Sequence, residues 1–101
     1  KLGKELSVEQ GQAAARLVGI NLLSTLKANI GDLNRVKRII KVNGFVNSEP
    51  TFTQQPVVMN GFSNLMVEIF GERGRHTRSA IGVNVLPNNV AVEIDMVLEL
   101  K

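Results

Sequence analysis

The stretch Arg78-Ser-Ala-Ile-Gly-Val-Asn-Val-Leu-Pro-Asn-Asn-Val-Ala-Val-Glu93 decides how this chain folds. It reads as two β-strands joined by a tight turn over Leu86–Asn89. Side chains alternate faces along a strand. The first strand therefore sets Ile81, Val83 and Val85 on one side and Arg78, Ala80, Gly82 and Asn84 on the other. The second sets Val90, Val92, Ile94, Met96, Leu98 and Leu100 against Ala91, Glu93, Asp95, Val97 and Glu99. Arg78 and Glu93 are expected to share the small, polar face opposite the apolar ladder. A hairpin with that turn puts Glu93 opposite Gly82 and leaves about 13 Å between the backbones of Arg78 and Glu93. That excludes a direct cross-strand pair. The two can still meet around one ligand from the ends of a cleft, or act with groups of an adjacent subunit.

Working back toward the N-terminus, Ser7-Val-Glu-Gln10 is a capping box. It predicts a helix over residues 8–30, with Ala13, Leu17, Ile20, Leu23, Leu26 and Ile30 as the core stripe and Gly31 as its C-terminal stop. Arg35 to Asn47 reads as a strand, with Val36, Ile40, Val42 and Val46 on one face and Gly44 as a candidate bulge. Its other face mixes Lys37, Lys41 and Asn43 with Ile39 and Phe45, the pattern of a surface partly covered by something outside the subunit. Phe52 to Phe70 is helical in pattern but interrupted by Pro56 and Gly61. It predicts a short first turn capped by Thr51 or Thr53, then a firmer helix from Phe62 or Ser63 to Phe70. Gly71 to Thr77 is a polar loop leading into Arg78. The order helix, strand, helix, strand, strand implies an α+β domain with two helices on one face of a mainly antiparallel sheet.

Composition narrows the function. A chain of 101 residues with 44% apolar content is one domain, residues 1–101. Without cysteine it has neither disulfides nor thiol chemistry. A single histidine among scattered acids argues against a metal site, and no phosphate loop, nucleophilic triad or dinucleotide fingerprint is present. No apolar run approaches the roughly 18 residues of a membrane span, so no membrane partner and a cytoplasmic location are expected. The net charge of +3 is carried by two basic groups, Arg35 to Lys41 and Arg73 to Arg78 with His76. Four phenylalanines are the only aromatics and none sits among the basic residues. That argues against nucleic acid as the partner and suits a small anionic substrate.

The run Arg78-Ser79, then Leu86-Pro87, then a valine-rich strand carrying Val92-Glu93 resembles the C-terminal signature of the Rid (YjgF-type) family of imine and enamine deaminases. The likeness extends upstream through Phe70-Gly-Glu-Arg-Gly-Arg-His-Thr-Arg78, which looks like a lesser-studied branch, and on to Glu93-Ile-Asp95. It covers nearly the whole chain from Leu6. The resemblance implies a chorismate-mutase-like fold assembled as a homotrimer, with the sheets forming a central barrel and pockets between subunits. The family begins with a β-hairpin ahead of the first helix, which this stretch of sequence is expected to lack.

The same resemblance implies roles for particular residues. Arg78 would clamp a substrate carboxylate and Glu93, fifteen positions on, would position or activate a water. A planar guanidinium suits bidentate carboxylate binding. Ala80 stands where many active members carry a cysteine, and Asn60 or Asn64 would match a substrate-binding asparagine of the second helix. The implied reaction is hydrolysis of a 2-imino acid, or its enamine tautomer, to a 2-oxo acid and ammonia. It needs no cofactor or metal, because the imine is already electrophilic and the enzyme mainly orients it with a water. The alternatives are a noncatalytic carboxylate-binding or regulatory trimer, and an endoribonuclease-type activity on RNA. His76, two residues before Arg78, is a candidate proton shuttle, and Ser79 has no other base within reach.

Overall fold

The computed structural model describes residues 1–101. Helix α1 (Val8–Ile30) leads through a 3-10 turn to β1 (Val36–Asn47), helix α2 (Gln55–Phe70), a second turn Gly71–Gly74, then β2 (Thr77–Val83) and β3 (Val92–Leu100). The three strands form one sheet in the order β2-β1-β3, and this departs from the expected hairpin. β1 lies between the two C-terminal strands, parallel to β2 and antiparallel to β3. The sheet is therefore mixed, not mainly antiparallel. A parallel pair needs a long crossover, which α2 supplies between β1 and β2.

The Leu86–Asn89 segment is thus not a hairpin turn but a bridge past the end of the central strand. Asn88 and Asn89 take φ of 57° and 55° within it, a left-handed conformation that asparagine tolerates. Asn47, fully buried at the end of β1, holds the bridge in place. Its side-chain amide donates to Asn89 Oδ1 at 3.0 Å and to the Val90 carbonyl at 3.1 Å, while its backbone N–H donates to the Ala91 carbonyl at 2.9 Å.

The capping box at Ser7 and Gln10 forms in both directions, and Gly31 ends α1 at φ 87°. The buried side of α1 keeps only the C-terminal part of the expected stripe, Leu23 with Leu26 and Ile30 packed against the core. Gly11, Ala15, Gly19 and Leu23 face inward, whereas Leu17 is 57% exposed and Ile20 also points out. The small residues let α2 approach closely. At Gly61 an added methyl would lie 2.2 Å from the Gln12 carbonyl oxygen, so this glycine is the crossing point of the helices and not a break in α2. Pro56 does not break it either, since it occupies the first turn, where its missing N–H costs nothing. Neither Thr51 nor Thr53 caps α2; Gln54 precedes it without a side-chain cap.

Arg16 and Glu68 tie the helices across the surface at 3.0 Å. Their hydrogen bond, then their charges, hold the Glu68 carboxyl below and the Arg16 guanidinium above their ordinary ranges.

β1 corrects the predicted alternation. Register shifts between Val36 and Arg38 and between Ile39 and Lys41 turn Val36, Ile39, Val42, Gly44 and Val46 toward the helices and leave Ile40 exposed. Each irregularity adds a residue to one side of the ladder and reverses the faces that follow. Gly44 is not the bulge. It is regularly paired on both sides, and Met59 Sδ occupies the space a side chain would need. The core is a single 15-residue cluster from α2, β1, β3 and the inner edge of α1, joined by Leu2 from the N-terminal segment. Both helices cover one face of the sheet, and the other face is left open by this chain.

Candidate functional site

Register decides where the charged residues point. Arg78 pairs with Val42, which faces the helices, so Arg78 lies on the helix side of the sheet, at its β2 edge. Glu93 pairs with Phe45, which faces away. The two do not share a face, contrary to the hairpin reading. Three residues along β1 and two strand spacings across it separate their backbones by about 14 Å. With the sheet between them, they cannot serve one pocket within one chain.

Arg78 reaches over to α2. Its Nη1 donates to Ser63 Oγ at 3.1 Å and its Nη2 to the Pro56 carbonyl at 3.1 Å. A guanidinium carries five N–H donors, so most remain available to a ligand. Ser63 Oγ also lies 2.9 Å from His76 Nε2, and His76 Nδ1 lies 2.7 Å from the Gly74 carbonyl. A carbonyl only accepts, which assigns the ring proton to Nδ1 and leaves the Nε2 lone pair to accept the Ser63 hydroxyl. The chain from Gly74 through His76 and Ser63 to Arg78 is thereby closed.

Local packing sets this geometry. Gly74 runs so close to α2 that an added methyl would meet the Met66 carbonyl at 2.2 Å, which presses the loop and its carbonyl against the helix. Phe62 meets the His76 ring edge-on, with centroids 6.3 Å apart. Ser63, Asn64, Val67, Arg75, His76 and Arg78 line a shallow open cleft of about 230 Å³.

The three arginines of the loop have separate tasks. Arg73 donates to the Val36 carbonyl at 2.6 Å and lies over the Phe70 ring, pinning the loop to β1. Arg75 forms one wall of the cleft and pairs with Glu72 at 3.0 Å. Arg78 alone hydrogen-bonds to α2 through its side chain.

A family described as "YjgF/chorismate mutase-like, putative endoribonuclease" matches residues 1–100. The chain belongs to this family. Among its YjgF-like relatives, Protein TCP17 of Trypanosoma cruzi is 52% identical over 101 residues, or 99% of this chain and 63% of its own. The crystal structure of an Agrobacterium tumefaciens protein of unknown function superposes with a TM-score of 0.96 at 46% identity, over 98% of this chain and 64% of that one. A Shewanella oneidensis structure that carries the same endoribonuclease description gives 0.95 at 36% identity, over 99% and 66%. This YjgF-like chain thus spans 63% to 66% of the length of these relatives. The α+β architecture of two helices on a three-stranded sheet is the fold they share.

Within the YjgF-like domain, the residues singled out from sequence fall in different places. Arg78 and Asn64 come together in the cleft. Asn60 lies one turn before Asn64 on the same side of α2, outside the cleft lining. Ala80 is opposite Gly44 and packs against the core below Met59. Glu93 lies on the open face beside Asp95, whose carboxylate accepts from the Asn43 amide at 3.0 Å.

Ser63 and Arg75 were not singled out. Ser63 follows the buried Phe62 in a helix that appeared interrupted, and only the parallel placement of β2 brings it opposite Arg78. The available signal was the row Pro56, Asn60, Ser63 and Val67 at helical spacing, with two polar residues at its centre.

Proposed function

We propose that this protein is a Rid-type deaminase that hydrolyses 2-imino acids to 2-oxo acids and ammonia, with the α2–β2 cleft holding the substrate carboxylate. The observation that carries the reading is the Arg78 guanidinium, oriented by Ser63 and the Pro56 carbonyl and left with free donors in a cleft that Arg75 also lines. A fixed planar fork between two polar anchors is what bidentate carboxylate capture requires. Asn64, on the same wall, is assigned to the substrate's nitrogen end.

Glu93 takes part only if a second subunit brings it to the cleft. The open sheet face favours such an assembly. Ile81, 48% exposed, sits beside Phe45 there, and Val97, 54% exposed, lies two rows farther along beside Lys41; exposed apolar side chains of this kind mark an interface. In a homotrimer built on that face, Glu93 orients the attacking water in a neighbour's cleft. Positioning supplies the catalysis, so the chain's own groups suffice without a cofactor.

An RNA-directed activity is the second reading, favoured by the family's description and by the cationic cleft. The buried Phe62 and Phe70 offer no stacking platform beside that cleft, which favours the small substrate. The test is ammonia release from a freshly generated 2-imino acid. The expected result is release well above the spontaneous rate at catalytic protein concentration. Release no faster than the buffer control, across small and large imines, overturns the reading.

A further inference from the structure

Imine hydrolysis moves protons twice: one leaves the water as it adds to carbon, and one must reach nitrogen before ammonia departs. A carboxylate clamp does neither. Glu93 is on the far face of the sheet, so a group on the helix side must handle protons if Arg78's own subunit supplies one.

From this geometry we infer that His76, acting through the Ser63 hydroxyl, is the proton acceptor and donor of the Arg78 cleft. The inference rests on the deaminase reading and adds to it a chemical step and two residues. The hydrogen bond to the Gly74 carbonyl keeps the proton on Nδ1 and leaves a basic lone pair on Nε2, 2.9 Å from Ser63 Oγ. Ser63 donates its proton to His76, accepts one bond from Arg78, and has a second lone pair free. That lone pair lies beside the guanidinium that holds the substrate, within reach of a water adding to the imine carbon.

The step balances. The substrate reacts as the N-protonated imine: the water oxygen bonds to its carbon, the C=N π pair moves onto nitrogen, and the water gives a proton to Ser63 Oγ as Ser63 gives its own to His76 Nε2. The resulting imidazolium returns that proton through Ser63 to the amino nitrogen of the tetrahedral adduct. The carbon–nitrogen bond then breaks, ammonia leaves, and the hydroxyl proton is released as the carbonyl forms. A covalent role for Ser63 has less support, because a mid-helix serine has its own N–H committed to the helix ladder and offers no oxyanion donor.

The charged groups facing His76 are Arg78 across Ser63 and Arg75 on the cleft wall, the latter offset by Glu72.

The experiment is kcat/KM for a 2-imino acid against pH, for the unmodified protein, His76→Gln, His76→Ala and Ser63→Ala. Binding of a 2-oxo acid is measured alongside as a control for the site. The expected loss is on the order of 10²-fold in His76→Gln and Ser63→Ala, typical of a missing acid–base group, with 2-oxo acid binding retained. The acid limb of the unmodified profile should vanish in His76→Gln, and added imidazole should restore part of the His76→Ala rate. A structural role would change neither the limb nor the rescue. If the unmodified protein turns over and His76→Gln keeps both rate and limb, the proton relay is wrong and the deaminase reading stands. If the unmodified protein does not turn over, both fall.

Discussion

Arg78→Ala is expected to reduce kcat/KM for a 2-imino acid by about ten- to a few-hundred-fold, the equivalent of losing a charge-assisted contact of roughly 1.5–3 kcal/mol. The loss should appear largely in KM if the clamp acts equally on bound substrate and transition state, and in kcat if orientation dominates. The fold should survive. Arg78 is at an edge of the sheet, half-exposed, and its partners Ser63 Oγ and the Pro56 carbonyl remain open to water once it is removed. Arg78→Lys should recover little, because a point charge on a flexible stem cannot reproduce the fork. Full activity in Arg78→Ala would remove the clamp from the mechanism. The variant's rate is read against the same spontaneous background as the unmodified protein.

Gly61→Ala is expected to lower the melting temperature by about 4–16 °C. The obstacle is the Gln12 carbonyl oxygen at 2.2 Å, a backbone atom that cannot rotate aside, so α1 and α2 must separate. Overpacking against a backbone atom falls in the upper part of the usual range, roughly 2–3 kcal/mol, and a domain of this size shifts by about 4–8 °C per kcal/mol. The helix-propensity gain of alanine over glycine, about 1 kcal/mol, opposes the clash without cancelling it. Gly44→Ala is the internal comparison. Its added methyl meets the thioether of Met59, a side chain able to swing away, so a smaller shift is expected there. Thermal unfolding followed by circular dichroism measures both. A Gly61→Ala protein as stable as the original would mean the helices do not cross there as described. Because Ser63 is carried on α2 only two residues on, displaced helices should also loosen its bond to His76.

The fold was legible where the signal was local. The capping box, the long first helix and its glycine stop all stand as read, because each depends on residues within one turn of each other. The second helix was misjudged where glycine and proline carry more than one meaning. Pro56 belongs to a first turn and Gly61 to a crossing, and neither fact is visible until α1 is laid across α2.

Pairing was the larger miss. Two adjacent strands with a turn-rich link look like a hairpin, yet β1 inserts between them, held there by α2 as crossover and by Asn47 gripping the Asn89–Ala91 segment. Alternation within β2 was read correctly, but which side faces the core was inverted, because that choice belongs to the neighbouring strand and helices and not to β2 itself. Arg78 could be singled out by motif and chemistry. Its neighbours could not, since Ser63 and His76 are 13 positions apart and meet only through the Gly74 approach to α2.

The α2–β2 cleft as the carboxylate site is the central claim, and mapping a bound 2-oxo acid by amide and side-chain chemical shifts tests it most directly. Titration of the labelled protein should move Ser63, Asn64 and the Arg75–Arg78 segment first, with the Arg78 guanidinium signals shifting most and the changes absent in Arg78→Ala. Shifts confined to the open face around Phe45, Glu93 and Asp95, with the cleft silent, would contradict the account and place the ligand on the other side of the sheet.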